Sequence, residues 1–537
     1  MEKRALLILI VFIAFGSIFR LYNLFWGAPF YFHPDERNIA HAISQLIFGT
    51  QFNPHFFAYG SLPIYVSFFL GLVSQSPLID TLTFEKAIHI LRMISSLLSI
   101  LLIPLIYFCG KLLKDKITGV IAAFFATFSI GFIQYAHFGT FEMWLTFFST
   151  LGLYFTLLFL KKPSLITYIL LSTTFGILLS TKISSFVLLP LFFLPLIIYK
   201  KKLHFKKIII GIVLLFTSTG AIFLLTNPFS YLDTTSFINS ISYESSVATG
   251  STIVFYTGEF LAANPVTFHF LHVYPFLLNP LVLFLFIPST VLVIFMCIKK
   301  RSFSLLFLIA WLGLTLIPQL LLFVKWTRYL IPTLPFVYLI VAITLSYLLS
   351  FSAKRISHRT TFLVPILSFV GGGITFLFAL SFLMTAYVQP DTRVKAAEFL
   401  AQHSSQDKII LSEVYDLGIV PFNTLGKIDL YNMYDIDPGN EISSKDDLQQ
   451  IINDYDYFIS PSQRLLKTRL LDSNNFPHGN EFYSHILQAK NGFTQIYKTP
   501  CDIFCKIAYW SDPVFSFEQT ANIFDRPTVY IFKNNEK

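Results

Sequence analysis

The sequence predicts an all-α polytopic membrane domain followed by a small α/β domain. Three observations carry that expectation. Hydrophobic residues make up 54% of the 537, 62 of them Phe, and only 13% are charged, whereas soluble domains run at about 45–50% apolar and about 25% charged. The mean hydropathy is +0.64, and the apolar residues fall in runs of the roughly 20 residues that a bilayer core demands. Basic residues gather in short clusters between alternate runs, and from residue 388 the pattern changes to alternating short strands and helices.

Eleven spans are expected, near 5–26, 88–110, 117–136, 141–160, 164–181, 184–199, 208–226, 276–298, 303–324, 329–350 and 361–387. The first is long and lacks a small-residue cleavage site, so it reads as an anchor rather than a signal peptide. The clusters Lys3/Arg4, Lys111/Lys114/Lys116, Lys161/Lys162, Lys200 to Lys207, Lys299/Lys300/Arg301 and Lys354/Arg355/Arg359 all fall on one side. The positive-inside rule makes that side cytoplasmic. Loops 27–87, 137–140, 182–183, 227–275 and 325–328 then face outward, as does the tail, 388–537. Residues 62–73, LPIYVSFFLGLV, reach only about 18 Å as a helix. As a span they would put every later lysine cluster on the wrong side. They read instead as an interfacial helix with Pro63 near its start, and 36–48 as another. The domains expected are 1–387 and 388–537.

In the tail, 408–413, 456–460 and 528–532 have the β-branched and aromatic content of strands. Residues 444–454 have helical periodicity, with Ser444 as N-cap. The net charge of +9 does not imply nucleic acid, because topology explains where the cations sit. Four cysteines are too few for a disulfide framework. Cys109 and Cys297 lie in apolar runs as packing residues, while Cys501 and Cys505 can pair if the tail is outside the cytoplasm.

Ionisable groups at membrane depth are costly and invite a functional reading. The outer loops and outer helix ends hold His33, Asp35, Glu36, Arg37, Arg92, His137, Glu142, Lys182, Glu244, Glu259, Lys325 and Arg328. Topology does not explain them. Asp35 and Glu36, in HPDER, read as a helix start after Pro34, and equally as a general base beside a carboxylate that orients substrate or holds a divalent ion. Lys182, between two spans otherwise free of charge, either snorkels or binds a phosphate. Arg328 carries the same two readings, with a fork that matches two phosphate oxygens. Its neighbours Trp326 and Tyr329 are interface aromatics. Glu142 is a dipole cap or a substrate ligand, His137 a hydrogen-bonded surface residue or a metal ligand, and Asn227 a cap for freed backbone groups. No Cys/His cluster has metal spacing and there is no phosphate-cradling loop.

These pieces, in this order, resemble the integral-membrane GT-C glycosyltransferases, and among them the protein O-mannosyltransferase-like and aminoarabinose-transferase-like group (glycosyltransferase family 39 and its relatives). The resemblance rests on Asp35-Glu36 after the first span, Arg92 in LRMISSLL, Glu142, GILLSTK ending in Lys182, TNPF, and RYLIPTLP with Arg328 and Tyr329. It covers about residues 1–390. It implies a sugar donor on a polyprenyl phosphate, presented from the outer leaflet of a prokaryotic plasma membrane, and transfer with inversion. Asp35 would activate the acceptor hydroxyl, and Glu36 would hold the sugar or a metal ion. Lys182 and Arg328, with Arg92, would stabilise the lipid phosphate, and Glu142, Tyr329 and His137 would help to bind substrate. The chain departs from the pattern at Glu142, where relatives often carry Asp, and it lacks WWDYG. The acceptor is left open among protein, lipid and envelope glycan. A flippase of lipid-linked sugars and a partner-binding membrane protein are the rival classes. Charges gathered at one face, rather than at the midplane, favour a one-sided enzyme over a transporter.

Overall fold

The computed structural model describes residues 2–75, 80–198, 205–355, 363–405, 407–414, 420–437 and 445–537. Among these, eight helices are long and apolar enough to cross a membrane, from Lys3–Leu21 to Val370–Val388. Lys116–Thr127 and Ile130–Ala136 form a further apolar pair bent by 54°, the geometry of a broken span or a re-entrant loop. The bend has a local cause. Ser129 caps the second half by accepting from the Phe132 N–H. Arg20, fully buried, donates to the carbonyls of Ala126 and Thr127 at 2.8 and 3.0 Å, which the break strips of helical partners. The segments expected at 164–181 and 184–199 are the shorter apolar helices Leu165–Thr181 and Ile183–Ile198. By length and composition the described residues hold eight spans, or nine if the bent pair is one, against the eleven expected.

The first loop holds the two short helices expected there. Leu62–Val73 begins at the predicted place with Pro63 in its first turn. The other runs Pro34–Ser44 rather than 36–48, because the chain turns back at Gly49 (φ +86°) to pair Ile47 with Gln51.

The C-terminal domain is a five-stranded sheet of order β2-β1-β3-β5-β4. The strands are β1 Ile409–Glu413, β2 Lys427–Tyr431, β3 Tyr457–Ser460, β4 Phe493–Lys498 and β5 Tyr530–Asn534. β1 runs parallel to β2 and β3, whereas β5 is antiparallel to β3 and β4. Alternate residues face opposite layers: Leu411, Phe458 and Phe532 pack one core, and Ile410, Ile459 and Ile531 the other. Helix Lys445–Asn453 stands where periodicity placed it; its expected cap, Ser444, lies outside the described residues. Cys501 and Cys505 form a disulfide, while Cys109 and Cys297 are free thiols.

Glu413 closes β1 in a fully buried position and accepts a 2.5 Å hydrogen bond from the Tyr483 hydroxyl. Burial pushes its carboxyl up to about 8, against the opposing hydrogen bonds from Tyr483 and Ser460. The folded chain therefore keeps a proton that the unfolded chain sheds above about 4.3. The stability tied to that proton is complete in acid and is lost as pH rises through about 8, by an amount on the order of a few kcal/mol. Glu413→Gln should flatten this loss. The check is the thermal midpoint of the full chain in detergent between pH 5 and pH 9; an equal alkaline decline in both proteins would refute it.

Candidate functional site

A cavity of about 350 Å³ opens between the first loop, the helix ends near Glu142 and Lys182, and the segment around Arg328. Its polar lining includes Tyr59, Glu142, Lys182, Glu244, Arg328 and Tyr329, and its apolar lining Leu178, Leu188, Phe223, Leu314, Pro318 and Leu322.

Asp35 sits in the first turn of Pro34–Ser44, where acidic residues suit the helix dipole. Burial pushes the His33 imidazole down to about 3. The neutral ring caps that helix by accepting from the Glu36 N–H at Nδ1. Asp35 pairs with Arg328, whose side chain is 20% exposed against 30% for Asp35. Burial alone would raise the Asp35 carboxyl, but the Arg328 guanidinium more than offsets it and leaves the group below the usual carboxylate range. Asp35 is ionised at neutral pH.

Lys182 occupies the extended residue between Leu165–Thr181 and the following 3₁₀ turn. Its ammonium lies over the rings of Tyr329 and Tyr59, at 4.7 and 5.3 Å, a cation–π seat that supplies no anion. The first loop reaches this point through Gly60, whose N–H bonds the Thr181 carbonyl at 2.9 Å. A Cβ on Gly60 would lie 2.0 Å from the Ser180 carbonyl oxygen, so only glycine permits the approach. Asn227 fixes the same loop by accepting from the Ser61 N–H at 2.7 Å, and caps its own helix end, as expected, by donating to the Phe223 carbonyl at 3.1 Å. Glu142 begins Glu142–Lys161 at 4% exposure, and its Oε2 has no hydrogen-bond partner among the described residues.

Three expected site residues stand elsewhere. Glu36 is taken on both oxygens by Arg92, at 2.5 and 2.9 Å, and both side chains are fully buried. Arg92 also donates to the Leu24 and Trp26 carbonyls and lies over the Trp26 ring. Neither residue lines the cavity, and Glu36 has no free oxygen for a sugar or a metal ion. Among the described residues no group of three His, Cys, Asp or Glu side chains is placed to hold a metal. His137 is buried between the Ile133 and Tyr22 carbonyls, with its ring stacked on Tyr387 at 3.8 Å. The Glu36–Arg92 pair ties the first loop to the second span. Removing one partner strands a buried charge, which costs about 3–5 kcal/mol. Glu36→Ala should therefore lower the thermal midpoint and the yield of folded protein, and an unchanged midpoint would contradict the assignment. Tyr59, one of 26 tyrosines, had no sequence signal at all.

The family profile described as dolichyl-phosphate-mannose-protein mannosyltransferase matches residues 79–225. No curated protein matches the chain. Among solved structures, the oligosaccharyltransferase of Archaeoglobus fulgidus in the apo form is similar, with a TM-score of 0.56 and 12% identity over 99% of this chain and 88% of that one. The archaeal oligosaccharyltransferase AglB from the same organism, in complex with an inhibitory peptide and a dolichol-phosphate, gives 0.51 at the same identity and coverage. ArnT from Cupriavidus metallidurans bound to undecaprenyl phosphate gives 0.46 at 13% identity over 86% of this chain and 93% of that one. The fold class is thereby defined: this is an integral membrane protein with the GT-C glycosyltransferase fold.

Proposed function

We propose that the chain transfers a sugar from a polyprenyl-phosphate donor to an acceptor hydroxyl at the extracytoplasmic face, with inversion. The observation that carries this reading is the Asp35–Arg328 pair at a cavity that also holds Lys182. One place there offers a fork and an ammonium for a lipid phosphate, next to a carboxylate that can take a proton. The dolichol-phosphate on the similar archaeal structure supports a lipid-linked donor, as does the profile named for dolichyl-phosphate-mannose. The basic clusters and the Cys501–Cys505 disulfide support an outer location for loops and tail.

The pairing suggests an order of events. Before the donor arrives, Arg328 holds Asp35 ionised and occupied. The lipid phosphate draws Arg328 and Lys182 to itself, which frees Asp35 and restores its basicity. The acceptor oxygen then attacks the anomeric carbon, its proton passes to Asp35, and the bond from that carbon to the phosphate oxygen breaks. The two cations stabilise the charge left on the departing lipid phosphate. Glu142, with a free oxygen in the cavity, accepts from sugar hydroxyls.

The test is transfer by the purified chain in liposomes supplied with a radiolabelled polyprenyl-phosphate sugar and a membrane-extract acceptor. Label should leave the lipid fraction for the acceptor, and nucleotide sugars should give none. Label that crosses the bilayer still attached to its lipid would identify a transporter instead.

A further inference from the structure

A single stretch of the C-terminal domain backs both halves of the Asp35–Arg328 pair. Glu518, fully buried, accepts at Oε2 from the Thr327 N–H at 2.9 Å and from the Thr327 hydroxyl at 2.6 Å. Thr327 immediately precedes Arg328 and opens the 3₁₀ turn Thr327–Thr333, where a helix start leaves its first N–H groups without internal partners. Six residues beyond Glu518, the Phe524 ring packs on His33 with centroids 4.2 Å apart, and His33 caps the helix that carries Asp35.

The stretch is itself well anchored. The Glu518 N–H donates to the His272 carbonyl at 3.0 Å. The Gln519 N–H donates to Glu259 at 3.0 Å, and Lys467 holds the other Glu259 oxygen at 2.6 Å. Gln134 donates to the Ala521 carbonyl at 2.9 Å and to Asp525 at 3.0 Å. Thr520 donates its N–H to the remaining Glu518 oxygen at 3.0 Å, so Glu518 has no oxygen to spare for a substrate. A buried carboxylate is costly unless fully hydrogen-bonded, and charge-assisted bonds are short and directional. Such a group suits the fixing of a turn better than the filling of space.

We propose that Glu518 is a positioning residue: it fixes the turn from which Arg328 projects, so the C-terminal domain sets the geometry of the phosphate clamp. The proposal rests on the transfer reaction above. A displaced arginine still attracts a bound phosphate but no longer meets the charge that develops on its oxygen, so the effect should fall on kcat.

Thr327→Val keeps the shape and the N–H but loses the hydroxyl, and Thr327→Ser keeps the hydroxyl. Glu518→Gln keeps the shape and loses the charge. The Val and Gln variants should lower kcat by about tenfold or more with donor KM within about threefold of wild type. The Ser variant should restore the rate, and the Gln/Val double variant should lose little more than either alone. A second readout needs no substrate: the rate at which phenylglyoxal modifies Arg328, followed by mass spectrometry, should rise in the Val and Gln variants. Wild-type kcat and wild-type Arg328 reactivity in Thr327→Val would overturn the proposal even if Glu518→Gln does not fold. Equal losses in the Val and Ser variants would also overturn it. If the wild-type protein transfers no sugar, the transfer reading fails, and Arg328 reactivity alone decides the positioning role.

Discussion

Asp35→Asn should abolish measurable sugar transfer while the protein still inserts, folds and binds donor. A positioned general base contributes about 10²–10⁴-fold, and the amide cannot take the acceptor proton. The substitution also removes the anion that holds Arg328. Both side chains are partly exposed, so the cost to stability should be small. Donor affinity should hold or improve, because the phosphate no longer competes with Asp35 for the guanidinium. The measurement pairs transfer of label with equilibrium binding of the donor lipid. Transfer at the wild-type rate by the Asn variant would remove Asp35 as the base.

The second large effect is expected at the cations. Arg328→Ala and Lys182→Ala should each weaken donor binding by about 10- to 100-fold, the equivalent of about 1.5–3 kcal/mol for a hydrogen bond to a charged group. Arg328→Lys should recover only part of this, since an ammonium lacks the planar fork. Lys182 rests on two aromatic faces with no acidic partner among its close ring contacts, so its loss should cost affinity more than stability. Native mass spectrometry with undecaprenyl phosphate reads both variants directly. Unchanged affinity in both would place the phosphate clamp elsewhere.

Much of this arrangement was legible in the sequence, for physical reasons. Spans announce themselves by length and hydropathy. The sidedness of the lysine clusters left twelve ionisable residues that topology could not explain; of these, Glu142, Lys182, Glu244 and Arg328 line one cavity, and Asp35 pairs with Arg328. Glu36 was misread because adjacency in sequence is divergence on a helix: neighbouring side chains point about 100° apart. Asp35 therefore meets Arg328 while Glu36 turns inward to Arg92. Arg92 and His137 are kept from the cavity by their burial among carbonyls and rings. Strands β2 and β4 escaped notice because both are half-exposed and carry polar residues. The role of Glu518 had no local signal, since its partner Thr327 stands 191 residues away in sequence.

The most direct measurement is a density map of the chain with undecaprenyl phosphate bound. A phosphate is expected between Lys182 and Arg328, with Arg328 drawn off Asp35 and the lipid chain along Leu178, Leu188, Leu314 and Leu322. A phosphate bound away from both cations, with the Asp35–Arg328 pair intact, would contradict this placement.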